Sequence, residues 1–211
     1  MSQATARILV ADDERNIRTN MAMVLEAAGY HVDAARDGEE ALTVCRETHP
    51  DIAFVDLHMP KMEGLDVLAH LRTLSPTTAV VIITAYGSAA NAVEAMKLGA
   101  VDFLEKPFDP KIIGILAEEI LFRQRHGSGS FDDLMHLAEL ARERNAHFEA
   151  RAYLKAAISR AADRPEPYYW LGYLCEAEDP KQALQYYYMA YSASKTYKPT
   201  VTALKRLGKI H

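Results

Sequence analysis

From Arg7 to about residue 124 the chain repeats one pattern five times: a short apolar run, then an amphipathic stretch. Arg7–Ala11 (RILVA) ends abruptly in Asp12-Asp13-Glu14, and Ile17, Met21, Val24, Leu25 and Ala28 then recur at helical spacing up to Gly29. A strand over 31–35 precedes a helix over 37–48. Ile52-Ala53-Phe54-Val55 leads through a Pro- and Gly-bearing turn to a helix over 65–74. Ala79–Thr84 (AVVIIT) precedes a helix over 88–98, and a run over 101–105 precedes a helix over about 110–124. Five such units predict a parallel sheet covered by helices on both faces, and AVVIIT, apolar throughout, suits a strand buried on both sides. Right-handed crossovers place every strand C-terminus along one edge, outside which ligands of such folds bind.

The pattern changes at His126-Gly127-Ser128-Gly129-Ser130, a short Gly/Ser joint before which the fifth helix is expected to end. Beyond it there are only helical periods, and they repeat. Leu134, Leu137, Ala138 and Ala141 are matched 34 residues later by Tyr168, Leu171, Gly172 and Cys175. Ala150, Leu154 and Ala157 are matched 33 residues later by Ala183, Tyr187 and Ala190. Shifting the first set by 33 more, from Tyr168, Leu171 and Cys175, reaches Val201, Leu204 and Gly208. The domain reading is therefore 1–125, a linker at 126–130 and a helical region at 131–211.

Composition sharpens this division. The chain of 211 residues is long enough for two domains, and its 49% hydrophobic and 25% charged residues are those of a globular protein. Residues 1–125 hold 12 Lys and Arg against 19 Asp and Glu, a net of −7, whereas residues 126–211 hold 12 against 10, a net of +2. Nine of the eleven tyrosines follow residue 150. No apolar run reaches the ~20 residues of a membrane span, and the acidic pair near the N-terminus argues against export. Cys45 and Cys175 read as buried thiols of a reducing, cytoplasmic compartment.

The chemistry gathers at the strand ends. Strand one ends in Asp12-Asp13, strand three in Asp56 and strand four in Thr84, while Lys106 follows strand five. Three carboxylates at one edge repel unless a cation offsets them, and oxygen ligands suit a hard divalent ion such as Mg²⁺. With Lys106 nearby, the set suits transfer of a phosphoryl group to a carboxylate. Taken singly, each residue has a plainer reading: Asp13 as a helix cap, Asp56 as a polar strand end, Thr84 as a β-branched terminus, Lys106 as a solvated loop lysine. Gly64 would serve the backbone of its turn, and the His58 side chain would sit at the surface.

The segments ILVADDE (8–14), DLHMPKMEG (56–64), VIITAYG (81–87) and FLEKPF (103–108) resemble the signature stretches of response-regulator receiver domains. TAYGSAANAVEAMKLGAVDFLEKPF is most similar to receivers of nitrogen-regulation-type activators. The resemblance implies an α/β, doubly wound, flavodoxin-like sheet of order 2-1-3-4-5. It implies Asp56 as the phosphoacceptor, and Mg²⁺ held by Asp12, Asp13, Asp56 and the backbone carbonyl of His58. Thr84 and Lys106 would bind phosphoryl oxygens, Phe103 would be the switch aromatic, and the Lys106–Pro107 bond would be cis. The helical region resembles tetratricopeptide repeats, two of them at about 131–163 and 165–196 with a capping helix at about 199–209. That resemblance implies a groove for a protein or peptide, lined by Met135, Glu139, Arg142, Tyr169, Tyr173 and Arg206. A generic small helical bundle is the plainer reading.

These features predict a two-component signalling protein that is a phosphoacceptor and not an enzyme in the ordinary sense, with self-catalysed phosphorylation and dephosphorylation at Asp56. Its partners would be a sensor histidine kinase or phosphotransfer protein and a ligand of the helical region; no nucleic acid and no membrane are expected. A homodimer formed on phosphorylation stays open. There is no P-loop, dinucleotide fingerprint or His/Cys metal cluster. Two other functions remain: a DNA-binding transcriptional regulator, for which Lys195, Lys198, Lys205, Arg206 and Lys209 give only a weak basic bias, and a phosphate sink.

Overall fold

The computed structural model describes residues 5–85, 89–127 and 129–210 of the protein. Expectations for Tyr86 and Gly87 of VIITAYG, for Ser88 at the head of the fourth helix and for Ser128 of the joint lie outside the described residues. The chain divides into two compact units between Ile120 and Leu121.

The first unit alternates β1 (Arg7–Ala11), α1 (Arg15–Ala27), β2 (His31–Ala35), α2 (Gly38–Thr48), β3 (Ile52–Asp56), α3 (Gly64–Leu74), β4 (Ala79–Thr84), α4 (Ala89–Lys97), β5 (Asp102–Glu105) and the first part of α5 (Lys111–His126), whose residues from Leu121 onward fall in the second. The five strands are parallel in the order β2-β1-β3-β4-β5. Every residue of β3 and β4 is buried, as their unbroken apolar runs require. Side chains alternate across the sheet: Leu9, Ala53, Val55, Val80 and Ile82 share a core with Leu42 and Cys45 of α2 and with Val67, Leu68 and Leu71 of α3. Their strand neighbours Ile8, Val10, Phe54, Val81 and Ile83 are equally buried, so the sheet is covered on both faces.

Local chemistry sets the helix ends. Gly29 takes φ +90° after α1, a conformation open to glycine at no steric cost. The carboxylate of Asp37 caps α2 by accepting from the Glu40 N–H at 2.9 Å. The Gly/Ser joint is shorter than its composition suggests: α5 continues through His126, whose ring stacks on Phe122 at 4.5 Å. Gly127 then takes φ +68°, and Ser130 is already the N-cap of the next helix, in a reciprocal capping box with Asp133.

The second unit holds α6 (Phe131–Glu143), α7 (His147–Arg160), α8 (Glu166–Cys175), α9 (Pro180–Ala193) and α10 (Lys198–Arg206). Small residues recur where the helices meet: Ala150, Ala157, Ala183 and Ala190 are fully buried. Gly172 faces the buried Tyr187, whose hydroxyl donates to Glu176, and Arg206 of α10 reaches the same carboxylate at 2.7 Å. Arg151 of α7 donates to the Leu174 carbonyl at 2.7 Å and so satisfies a carbonyl in the last turn of α8. Cys45 and Cys175 are both buried free thiols, and burial pushes the Cys45 thiol up to about 12.

A Cβ on Gly172 would lie 2.8 Å from the Tyr187 ring and 3.1 Å from the Ala183 carbonyl oxygen. Gly172→Ala is therefore expected to destabilise the second unit by about 1–3 kcal/mol through overpacking, despite alanine's better helix propensity. Urea unfolding followed by the fluorescence of Trp170, the chain's single tryptophan, reads this unit directly.

Candidate functional site

Parallel pairing brings the ends of β1, β3, β4 and β5 to one edge. Asp56 closes β3 in register with Ile83 of β4, and Thr84, fully buried, stands one residue further along. Asp12 follows β1 and is 1% exposed; Asp56 is 4% exposed. Lys106 follows β5, held by its N–H to the Thr84 carbonyl at 2.7 Å and joined to Pro107 by the expected cis bond. Its ammonium lies between the two carboxylates, 2.6 Å from Asp12 Oδ2 and 2.7 Å from Asp56 Oδ1. The remaining oxygens accept backbone N–H groups, Asp12 Oδ1 from Glu14 at 2.8 Å and Asp56 Oδ2 from His58 at 2.9 Å. Every carboxylate oxygen thus has a donor, as burial demands.

The His58 N–H is aimed by the loop between β3 and α3, and two close approaches fix that loop. Gly64, which opens α3, lies against the Asp56 carbonyl, and a Cβ there would meet Leu57 Cα at 2.9 Å. The glycine is needed for that approach, not for an unusual φ. At the loop's other side, Lys61 takes φ +68° and its ammonium pairs with buried Asp37 at 2.7 Å. Lys61 and the N–H of Glu40 together hold the Asp37 carboxyl below the ordinary range. Next to it, a Cβ on Gly38 would lie 2.7 Å from that of Met62.

Two buried carboxylates and one ammonium leave the cluster one negative charge in excess. Burial pushes the Asp56 carboxyl above its ordinary value; Lys106 pulls against this, while the charge of Asp12 adds to it. Burial alone would lower the Lys106 ammonium, but the two carboxylates outweigh it and raise it. The excess charge and all-oxygen donor set fit a hard divalent cation, since Mg²⁺ needs only one or two carboxylates. Of the three acids expected at this edge, Asp12 and Asp56 are drawn together by Lys106, and Asp13 follows Asp12 on the solvent side. Asp13 is exposed, and among the described residues no group of three or more His, Cys, Asp or Glu side chains is arranged to hold a metal. Nor does Asp13 cap α1, whose N-cap is Glu14; Arg18 instead takes the carbonyls of Asp12 and Asp13 at 2.6 and 2.9 Å. The His58 side chain is half exposed, with Nδ1 3.0 Å from Glu63. Phe103 is partly buried against the sheet core.

In the second unit Met135, Glu139 and Arg142 line a cavity of about 300 Å³. Arg142, Tyr169, Tyr173 and Arg206 line an adjoining one of about 960 Å³. Trp170, absent from the expected groove, lies under the Arg142 guanidinium at 4.4 Å and meets Tyr169 and Tyr173 edge-on.

A family model described as the response regulator receiver domain matches residues 8–116. The regulatory protein AtoC of Escherichia coli is 35% identical over 118 residues, which cover 56% of this chain and 26% of that protein. The probable transcriptional regulator ycf27 of Cyanophora paradoxa is 39% identical over 117 residues, 56% of this chain and 48% of that one. The chain therefore spans less than half the length of either curated relative. The crystal structure of a response regulator receiver domain from Clostridium thermocellum is 35% identical, with a TM-score of 0.54, over 57% of this chain and 97% of that one.

Removing the ammonium would leave two buried carboxylates face to face. Lys106→Met is expected to cost about 3 kcal/mol at pH 7 and less near pH 4, where a carboxyl takes up a proton. Asp56 behaves oppositely. Its raised folded-state value means that its contribution is present below the unfolded value of 3.8 and lost as pH rises through the folded one. Asp56→Asn is therefore expected to be more stable than wild type at pH 7, by a margin that closes as pH falls through the raised folded value towards 3.8. Urea titrations read by circular dichroism at the two pH values check both expectations.

Proposed function

The chain belongs to the response regulator receiver domain family through residues 8–116, and on that premise we propose that phosphorylation of Asp56 controls how its helical unit engages a protein partner. The observation that carries this reading is the Lys106 ammonium held 2.6 and 2.7 Å from Asp12 and Asp56. Lys106 favours the ionised form of Asp56 that a nucleophile needs, against the upward push of burial. A carboxylate oxygen of Asp56 attacks the phosphorus of a kinase's or phosphotransfer protein's phosphohistidine. The P–N bond breaks, its electron pair returns to the imidazole, and an acyl phosphate forms on Asp56. Lys106 and the Thr84 hydroxyl then bind phosphoryl oxygens, while the His58 N–H keeps the carboxyl in place. Asp12, Asp13, Asp56 and the His58 carbonyl would hold Mg²⁺, which when bound supplies positive charge to the phosphoryl oxygens. The new dianion draws Thr84 and Lys106 towards it, and Phe103 repacks beside Thr84. No helix among the described residues is long and apolar enough to cross a membrane.

The helical unit is read as two tetratricopeptide-like repeats, α6–α7 and α8–α9, with α10 as a cap. Supporting this, Leu137, Ala138 and Ala141 are buried like Leu171, Gly172 and Cys175, and Ala150, Leu154 and Ala157 like Ala183, Tyr187 and Ala190. The expected groove residues all line the two adjoining cavities. A second reading, as a transcriptional regulator, is favoured by the names of the curated relatives, although the stretch shared with them covers only 56% of this chain. Salt-dependent binding to duplex DNA would support it.

Acetyl phosphate with Mg²⁺ is expected to add one phosphoryl group to the wild type, seen by intact mass and removed by hydroxylamine. EDTA should abolish the addition, and Asp56→Asn should show none. Normal labelling of Asp56→Asn would overturn the assignment.

A further inference from the structure

The two adjoining cavities of the helical unit differ in chemistry. The smaller, about 300 Å³, has apolar walls from Met135, Leu154, Trp170 and Leu174, which suits one inserted aliphatic or aromatic side chain. The larger, about 960 Å³, is walled by Tyr169 and Tyr173 and by cations. Arg142 and Leu174 line both.

The charges of the larger cavity are unequally committed. Of its acids, Glu176 is paired with Arg206 at 2.7 Å and accepts the Tyr187 hydroxyl, and Glu178 is paired with Arg151 at 2.8 Å. Arg142 and Lys198 have no carboxylate of the described residues within ion-pair distance. Arg142 instead lies with its guanidinium carbon 4.4 Å from the Trp170 ring centroid, a cation–π placement that does not consume its N–H groups, which can still meet a carboxylate in fork geometry. Asp132 and Glu139 stand at the smaller cavity and disfavour a second acid there. Apolar capacity and cationic capacity are thus set side by side, with Arg142 between them.

Resting on the protein-binding reading of the helical unit, we infer that these cavities take an extended peptide segment whose apolar side chain enters the smaller and whose following carboxylates meet Arg142 and Lys198 in the larger. Asn145 and Thr202 also line the larger cavity and offer partners to peptide amides. A nucleic acid is disfavoured, because its unbroken row of phosphates would run past Asp132, Glu139, Glu176 and Glu178.

The test uses the full chain and two pools of short fluorescein-labelled peptides. One pool carries a fixed Leu followed by two Glu, the other the same Leu followed by two Gln, with random flanks. Anisotropy should show the Glu pool binding roughly tenfold more tightly, a preference weakened by salt. Arg142→Gln and Lys198→Gln should each remove most of that preference for the Glu pool over the Gln pool. Lys181→Gln, a substitution away from both cavities, should leave the affinities for both pools as in the wild type, and a cooperative urea transition read by circular dichroism shows each variant folded. Equal binding of the two pools would overturn the acidic preference alone. Binding of neither pool by folded protein would overturn the protein-binding reading as well. Tighter binding of a single-stranded oligonucleotide than of either pool would replace the peptide with nucleic acid.

Discussion

Three charges share a buried space at the sheet edge, and only their mutual arrangement makes that tolerable. Asp12 and Asp56 come from neighbouring parallel strands, so the pairing that builds the sheet also forces two carboxylates together. Lys106 offsets one of the two negative charges and arrives from a third strand end, through the Thr84 carbonyl that holds its backbone. Backbone N–H groups take the oxygens that the ammonium does not. The geometry therefore holds together electrically while keeping one charge uncompensated. On the proposed reading, a site that takes both a cation and a phosphoryl group would need that imbalance: a fully neutralised cluster would have little to offer the cation.

The helical unit solves a different problem, packing helices closely on short segments. Its small residues sit where neighbouring helices would otherwise collide, and its one glycine at such a contact faces the largest fully buried side chain, Tyr187. Polar links tie the succession together without breaking the apolar core, as where Glu176 joins Tyr187 of α9 to Arg206 of α10. The tyrosines concentrated here divide between these tasks. Tyr187 is core, whereas Tyr173 is about half exposed at 53% beside Trp170.

Much of the first unit was legible because its periodicity is strong: β3 and β4 are unbroken apolar runs, and the residues after each strand end name their edge. The Asp12-Asp13 pair was not resolved by pattern. Adjacent residues leaving a strand point opposite ways, so one acid turns inward to Lys106 and the other outward, and nothing in the letters says which. The capping role of Ser130 was masked by the Gly/Ser composition around it, although Asp133 three residues later is the reciprocal partner of such a cap. Trp170 was not legible from the repeat, which matches Tyr168, Leu171, Gly172 and Cys175 to the first helix and passes over Trp170. The Lys61–Asp37 pair links segments far apart in sequence, and a lysine at φ +68° carries no glycine-like mark in the sequence.

That last pair bears on how the edge can respond to a new charge. The loop from Leu57 to Glu63 is pinned by Gly64 against the Asp56 carbonyl on one side and by Lys61 and Met62 against the head of α2 on the other. Its contribution, the His58 N–H, is therefore a fixed dipole with almost no reorganisation energy. On the proposed reading, compliance then falls across the edge, on the β4 and β5 side that carries Thr84 and Lys106. One wall of the site would act as the stationary reference and the other as the moving part, an asymmetry by which a single local charge would produce a displacement in one chosen direction.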